Sequence, residues 1–208
     1  MEHKIIIVGI GPGAKEYVIP LAMTTISTAK VVVGGSRALS EFANESQKTF
    51  AIKADIKAVL NFIKEELINN DVVVMVSGDP GYYSMLSSIR KNFPIEQIKV
   101  IPGLSSMQTA FAKIALPWQE ASLLSFHGRV PKDEDLIYYP GRIIGMLTDN
   151  KFNSNAIATY LIERGWDKHA RAYICSRLSY PDEKIVCLSL EEAQYKDKAG
   201  HCIMIVEG

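Results

Sequence analysis

Ile5-Ile6-Ile7-Val8-Gly9-Ile10-Gly11-Pro12-Gly13, near the start of a 208-residue chain, is the stretch that decides the fold class. Four apolar residues without polar alternation read as a short strand covered on both faces. The glycines and proline that follow mark a sharp turn out of that strand. Outward from it, comparable runs recur at residues 30–33, 72–77, 99–101, 123–126, 143–148, 171–175, 184–188 and 202–207. Helical patterns lie between them. Residues 20–29 place Pro20 at a first helical position. Residues 56–67 put Ile56, Val59, Leu60, Ile63 and Leu67 on one face. Residues 155–164 align Ile157, Tyr160 and Leu161, with Gly165 as a stop signal. Alternating strands and helices predict an α/β protein. After Ile114-Ala115-Leu116-Pro117-Trp118 the connections become polar and the last strands are joined by short turns, which predicts antiparallel pairing there. The expected domains are 1–115 and 116–208.

Composition narrows the function classes. Hydrophobic residues make up 48% and charged residues 22%, the balance of a chain that folds. Lys plus Arg equals Asp plus Glu at 23 each, so the surplus of basic charge typical of a nucleic-acid binder is missing. The first apolar run is far shorter than a membrane span or a signal peptide, which makes the cytoplasm the expected location and excludes a membrane role. Cys175, Cys187 and Cys202 form no CxxC pair and fall in apolar runs, as buried strand thiols do, so no metal site is expected.

Three strand ends carry unusual turns. Gly9-Ile10-Gly11-Pro12-Gly13-Ala14 reads loosely as a dinucleotide fingerprint, GxGxxA. Pro12, however, removes an amide donor that a pyrophosphate would use. The second strand ends in Val33-Gly34-Gly35, without the acid that would hold a ribose. In Ser77-Gly78-Asp79-Pro80-Gly81-Tyr82-Tyr83, Asp79 and Pro80 fit a helix start. Asp79 equally fits the crevice outside the carboxyl ends of the strands, where open α/β sheets bind ligands. In Ile101-Pro102-Gly103-Leu104-Ser105-Ser106 the two serines either cap a helix or present hydroxyls and amides to a ligand. The three turns are expected to converge on one edge of one sheet.

Taken as a set, Gly9–Gly13, Gly78–Tyr82 and Pro102–Ser106 resemble the tetrapyrrole methylases, the class III S-adenosylmethionine-dependent methyltransferases, and the resemblance covers essentially the whole chain. Ser125-Phe126-His127-Gly128-Arg129, Leu147-Thr148-Asp149 and Leu178-Ser179-Tyr180-Pro181-Asp182-Glu183 are similar to the branch that methylates C5 of cobalt-precorrin-7. Ending at Gly208, the chain is similar to the stand-alone form and not to the fusion with a decarboxylating C15-methylating domain. The resemblance implies a tetrapyrrole methylase fold of two α/β domains with a cofactor cleft between them, a homodimer, and a role in cobalamin biosynthesis. It implies S-adenosylmethionine as cofactor, released as S-adenosylhomocysteine. Cofactor contacts carried over by motif fall on Ile10, Pro12, Gly78, Asp79, Tyr82, Ser105 and Ser106. The strand Met146-Leu147-Thr148 and the pair Gly200-His201 supply the rest. Where the branch usually has an acid and then Asn before Leu178, this chain has Ser176 and Arg177.

Methyl transfer from a sulfonium to carbon requires alignment and exclusion of water, with neither a metal nor a covalent intermediate. A polycarboxylate tetrapyrrole calls for arginines, and Arg37, Arg129 and Arg177 are the expected substrate contacts, each reading equally as a solvated surface residue. His127, with Arg129, is the expected catalytic residue, as a proton relay or else a hydrogen-bonded structural histidine. His201 reads as a positioning residue of the cofactor pocket. Tyr82 and Tyr83 pack on adenine, on the macrocycle, or within the helix layer. A separate decarboxylating C15-methyltransferase is the implied functional partner. The alternatives are a sister methylase acting at another ring position, a Rossmann-type NAD(P)-binding oxidoreductase, and a non-catalytic tetrapyrrole carrier.

Overall fold

The computed structural model describes residues 3–196, 199 and 201–208. The chain divides into two compact units, Met1–Ser105 and Ser106–Gly208, and each has its own five-stranded sheet.

The first unit contains β1 (Ile5–Gly9), α1 (Pro20–Thr28), β2 (Val31–Gly34), α2 (Ser36–Phe42), β3 (Lys48–Ala51), α3 (Ile56–Glu66), β4 (Val72–Val76), α4 (Leu86–Asn92) and β5 (Ile98–Ile101). Its strands lie in the order β3-β2-β4-β1-β5, all parallel. Side chains alternate across the sheet, and both faces are covered. Ile5, Ile7, Val31, Val33, Val72 and Val74 pack with Val59 and Ile63 of α3 and Ile89 of α4. Val8, Val32, Val73 and Met75 pack with Ala22 and Ile26 of α1 and Ala38 of α2. This double cover is why β4 is buried at all five positions. Each fully buried Val or Ile contributes about 1.5–3 kcal/mol.

Local signals set several boundaries. Pro20 starts α1, and Asp55 caps α3 by accepting from the Ala58 amide at 3.0 Å. Two features depart from the sequence reading. β3 carries no apolar run because it is an edge strand with two exposed residues. Asp79-Pro80 does not begin a helix: Tyr83 adopts φ 48°, and α4 starts only at Leu86.

The second unit contains α5 (Ser106–Lys113), β6 (Ser122–Ser125), β7 (Ile143–Leu147), α6 (Ser154–Ile162), β8 (Arg171–Ser176), β9 (Lys184–Ser189), α7 (Leu190–Ala193) and β10 (Cys202–Glu207). The order is β6-β7-β10-β8-β9, with β6 and β7 parallel and the remaining pairs antiparallel. The sequence puts the break near residues 114–118, whereas α5 packs with the second sheet. Gly145 of β7 makes room for it, since a Cβ there would lie 2.7 Å from Met107 Sδ and 2.9 Å from the Phe111 ring. Asn153 caps α6 through the Ala156 amide, and Gly165, at φ 85°, follows its end. Ser189 and Glu192 form a capping box on α7. Cys175 and Cys202 are buried as expected, but Cys187 is exposed because β9 is an edge strand.

At the carboxyl edge of the first sheet, β1 runs between β4 and β5, and the three glycine turns meet there as expected. A Cβ on Gly103 would lie 2.4 Å from the Gly78 carbonyl oxygen and 2.8 Å from Gly9 backbone atoms. A Cβ on Gly9 would lie 2.6 Å from the same oxygen and 2.7 Å from the Gly103 nitrogen. These are backbone atoms, with no flexible side chain to give way. Gly103→Ala should therefore lower unfolding free energy by at least about 2 kcal/mol, measured by urea denaturation; a midpoint equal to the parent's would show that the crossing is looser than described.

Candidate active site

The edge of the first unit is tied together by backbone groups. The Ile10 amide donates to the Val76 carbonyl at 2.9 Å, and the Gly78 amide donates to the Gly11 carbonyl at 2.8 Å. The second bond forms an isolated antiparallel bridge beyond the parallel ladder. Gly11 at φ 72° and Gly78 at φ 68° occupy the left-handed region that only glycine adopts freely. Gly78 lies against Ser105, whose Cα would be 3.5 Å from a Cβ on Gly78. Asp79 is the strap. Its Oδ1 accepts from the Gly81 amide at 2.7 Å, and its Oδ2 accepts from the Gly103 amide at 3.1 Å. One carboxylate thus fixes its own loop and joins it to the loop after β5. Tyr82 and Tyr83 make an edge-to-face pair with centroids 4.8 Å apart. The Tyr82 hydroxyl is buried with no partner among the described residues. Burial first, and the neighbouring Tyr83 second, hold this phenol well above its usual range, so it stays neutral.

Of the residues expected here, Ile10, Gly78, Asp79 and Ser105 come together, with Pro12 and Tyr82 on the same loops. Ser106 opens α5 in the second unit. Arg37 stands apart on α2 with an exposed side chain, 3.9 Å from Glu41.

A second cluster forms where β6, β7 and β8 end and β10 begins. Register fixes it, because Ser125 pairs with Leu147, Leu147 with Ile203, and Cys202 with Ser176. Met146 is fully buried in the core of this unit, paired with Leu124 of β6 on one side and Met204 of β10 on the other. The Thr148 hydroxyl accepts from the Cys202 amide at 2.8 Å and donates to the Cys202 carbonyl at 2.9 Å. Its own carbonyl lies 3.3 Å from His127 Nδ1. His127 is exposed, and its ring lies 5.4 Å from that of His201, centroid to centroid. Gly200 lies outside the described residues. Arg129 is exposed two residues beyond His127.

Asp149, to which the sequence reading gave no role, organises the turn. Oδ2 accepts from the Gly128 amide at 2.9 Å, and Oδ1 from Lys151 at 2.8 Å and Phe152 at 2.6 Å. The amides of Gly128 and Phe152 hold this carboxyl below the usual range, helped by Lys151 and His127. The sequence signal was Asp149-Asn150 directly after a strand, an Asx-turn pattern.

Arg177 flanks the same edge at φ 54°, where Asn is tolerated better than Arg. Its guanidinium is engaged within the turn, 2.9 Å from the Asp182 carboxylate and stacked over Tyr180 at 4.3 Å. Glu183 braces the turn, accepting from the Ser179 amide at 2.7 Å and pairing with Lys113 of α5 at 2.8 Å. Among the described residues no group of three His, Cys, Asp or Glu side chains is arranged to hold a metal ion.

Comparison with known proteins places these features in context. The family model for the tetrapyrrole (corrin/porphyrin) methylases matches residues 4–194. The cobalt-precorrin-7 C(5)-methyltransferase of Salmonella typhimurium is 32% identical over 179 residues, 86% of this chain and 87% of that protein. A probable cobalt-precorrin-7 C(5)-methyltransferase of Methanocaldococcus jannaschii is 30% identical, with 98% of each chain covered. In fold, the chain is similar to the uroporphyrin-III C-methyltransferase of Thermus thermophilus complexed with S-adenyl homocysteine, with a TM-score of 0.76, 20% identity, and 98% and 96% of the two chains covered.

The two carboxylate straps give two expectations. Asp79→Ala leaves the Gly81 and Gly103 amides without their acceptor and should cost about 1–3 kcal/mol in urea denaturation; an unchanged midpoint would reject the strap. For Asp149 the folded value is depressed, so its contribution is present above the unfolded value and fades only as pH falls through the lower folded one. The Gly128 amide resonance should accordingly titrate with a midpoint below the reference of about 3.9. A midpoint at or above that reference would dismiss the contact.

Proposed function

Because this chain belongs to the tetrapyrrole (corrin/porphyrin) methylase family, we propose that it is an S-adenosylmethionine-dependent C-methyltransferase of cobalamin biosynthesis that methylates C5 of cobalt-precorrin-7. One observation carries the choice of substrate. Proteins named for that activity match it at 32% and 30% identity over 87% and 98% of their length, above the 27% of a cobalt-precorrin-4 C(11)-methyltransferase.

The first edge fits an adenosyl ligand. Gly78 is half-buried at this edge and carries no side chain, and the Tyr82 hydroxyl is a buried polar group in want of a partner. Ile10, Pro12, Gly78, Asp79 and Tyr82 would hold the cofactor together with Ser105 and Ser106. In this reading Asp79 acts by fixing the loops, its carboxylate oxygens being engaged already. By the family resemblance Met146, Leu147 and Thr148 and the Gly200-His201 pair are further cofactor contacts. When bound, S-adenosylmethionine supplies an electrophilic methyl group carried on a sulfonium. The side chains need only orient the ring carbon and keep water away, which is worth up to about 7–11 kcal/mol.

Arg37 and Arg129 bind substrate carboxylates. Arg177 does so by exchanging Asp182 for a substrate carboxylate, a small change because exposed ion pairs contribute only about 0–1 kcal/mol. His127 handles a proton. The protein works in the cytoplasm as a homodimer, with a separate decarboxylating C15-methyltransferase as its functional partner. No helix among the described residues is long and apolar enough to cross a membrane.

Incubation of the purified protein with S-adenosylmethionine and cobalt-precorrin-7 should give a product one methyl heavier by mass spectrometry, with the new carbon at C5 by NMR. A methyl at another ring position would identify a sister activity, and corrinoid binding without methylation a carrier. Calorimetric binding of NADH in preference to S-adenosylhomocysteine would replace the methyltransferase with an oxidoreductase.

A further inference from the structure

C5 of the macrocycle is a methine bridge carbon, and its methylation has a proton balance that the protein must meet. The ring's electron pair forms the new carbon–carbon bond, while the pair of the carbon–sulfur bond stays on sulfur, which leaves as a neutral thioether. C5 then carries both the methyl group and its original hydrogen. Conjugation returns only when that hydrogen departs as a proton and the C–H pair rejoins the ring. One base is therefore required per turnover.

Resting on the C5-methyltransferase reading, we propose that His127 and His201 form the proton exit of this reaction, with Nε2 of His127 as the base that takes the C5 proton. The argument begins with hydrogen-bond chemistry. The Thr148 carbonyl, 3.3 Å from His127 Nδ1, can only accept. Nδ1 therefore carries the hydrogen, and in the neutral ring Nε2 holds the lone pair. The main chain of His127 is held as well, its backbone amide donating to Ser125 Oγ at 3.2 Å. His127 is exposed just beyond the end of β6, instead of being buried as a structural histidine would be.

Charged and titratable groups lie close to the ring. Asp149, following β7, interacts electrostatically with His127, and its amide bonds keep it ionised at low pH. His201, preceding β10, is the other titratable group against the ring, at 5.4 Å between centroids, and is itself exposed. It can relay the proton to water. Arg129 follows on the same segment as His127. Burial raises the Cys202 thiol and keeps it neutral, although the Thr148 hydroxyl opposes this, so it adds no charge.

The test compares the parent with His127→Asn, whose amide can still donate to the Thr148 carbonyl, and with His201→Gln. Four quantities are measured: the 15N shifts of the imidazoles, S-adenosylhomocysteine affinity by calorimetry, kcat against pH, and the isotope effect with C5-deuterated substrate. The parent should show His127 as the Nδ1–H tautomer and a kcat that falls as pH drops through the imidazole range. His127→Asn should lose at least ~100-fold in kcat, lose that acid limb, gain a larger isotope effect, and keep its affinity for S-adenosylhomocysteine. His201→Gln should show a smaller loss. A His127→Asn variant that retains its rate and acid limb overturns the proposal, as does an Nε2–H tautomer. Loss of S-adenosylhomocysteine binding in step with rate would make His127 a cofactor contact instead. A parent that adds no methyl at C5 refutes the function itself, an outcome distinct from failure of the variant alone.

Discussion

Three peptide backbones in van der Waals contact, at Gly9, Gly78 and Gly103, are the constraint on which the rest of the first unit's site depends. Parallel order places β1 between β4 and β5, so the three chains leave the sheet as nearest neighbours. They can turn closely past one another only if two of the crossing points have no Cβ. Asp79 then converts proximity into rigidity, since each of its oxygens takes an amide from a different loop. An edge held this way pays little ordering entropy when a ligand arrives. The buried Tyr82 hydroxyl beside these loops is the reverse case, a polar group with no partner among the described residues.

The second unit reaches a concentrated edge by a different route. β6 and β7 are parallel and deliver two carboxyl ends, while antiparallel β10 begins where they finish. His127, Thr148, Asp149 and His201 are thereby neighbours although they span most of this unit's sequence. Thr148 divides its functions, with its hydroxyl on Cys202 and its carbonyl toward His127. Asp149 does for this edge what Asp79 does for the other, satisfying backbone amides in a turn and placing a fixed negative charge. In both units a carboxylate just beyond a strand end is first of all an organiser of backbone.

Much of this was legible in the chain. Unbroken runs such as Val72–Val76 announced a sheet covered on both faces, Pro20 and Gly165 marked helix limits, and the three glycine turns pointed to one edge. The C5 branch segments led to His127 and Thr148. Less legible were β3, whose exposed edge position removes the apolar signal, and the start of α4, displaced by a left-handed Tyr83 that no local rule requires. Arg177 read as a free arginine for substrate, yet it is engaged by Asp182 and Tyr180 inside its own turn.

What the sequence by itself determined is whatever depends on neighbours a few residues away: hydrophobic period, caps, turns, and the glycine pattern shared with a family. Only the tertiary structure decided that α5 packs with the second sheet, that Asp79 bonds an amide 24 residues distant, and that His127 meets a histidine entering from the other end of the unit. The physical reason is range. Propensity and periodicity are local energies, whereas strand order, register and the partner of a carboxylate emerge only when distant segments pack, and no short window of residues encodes them.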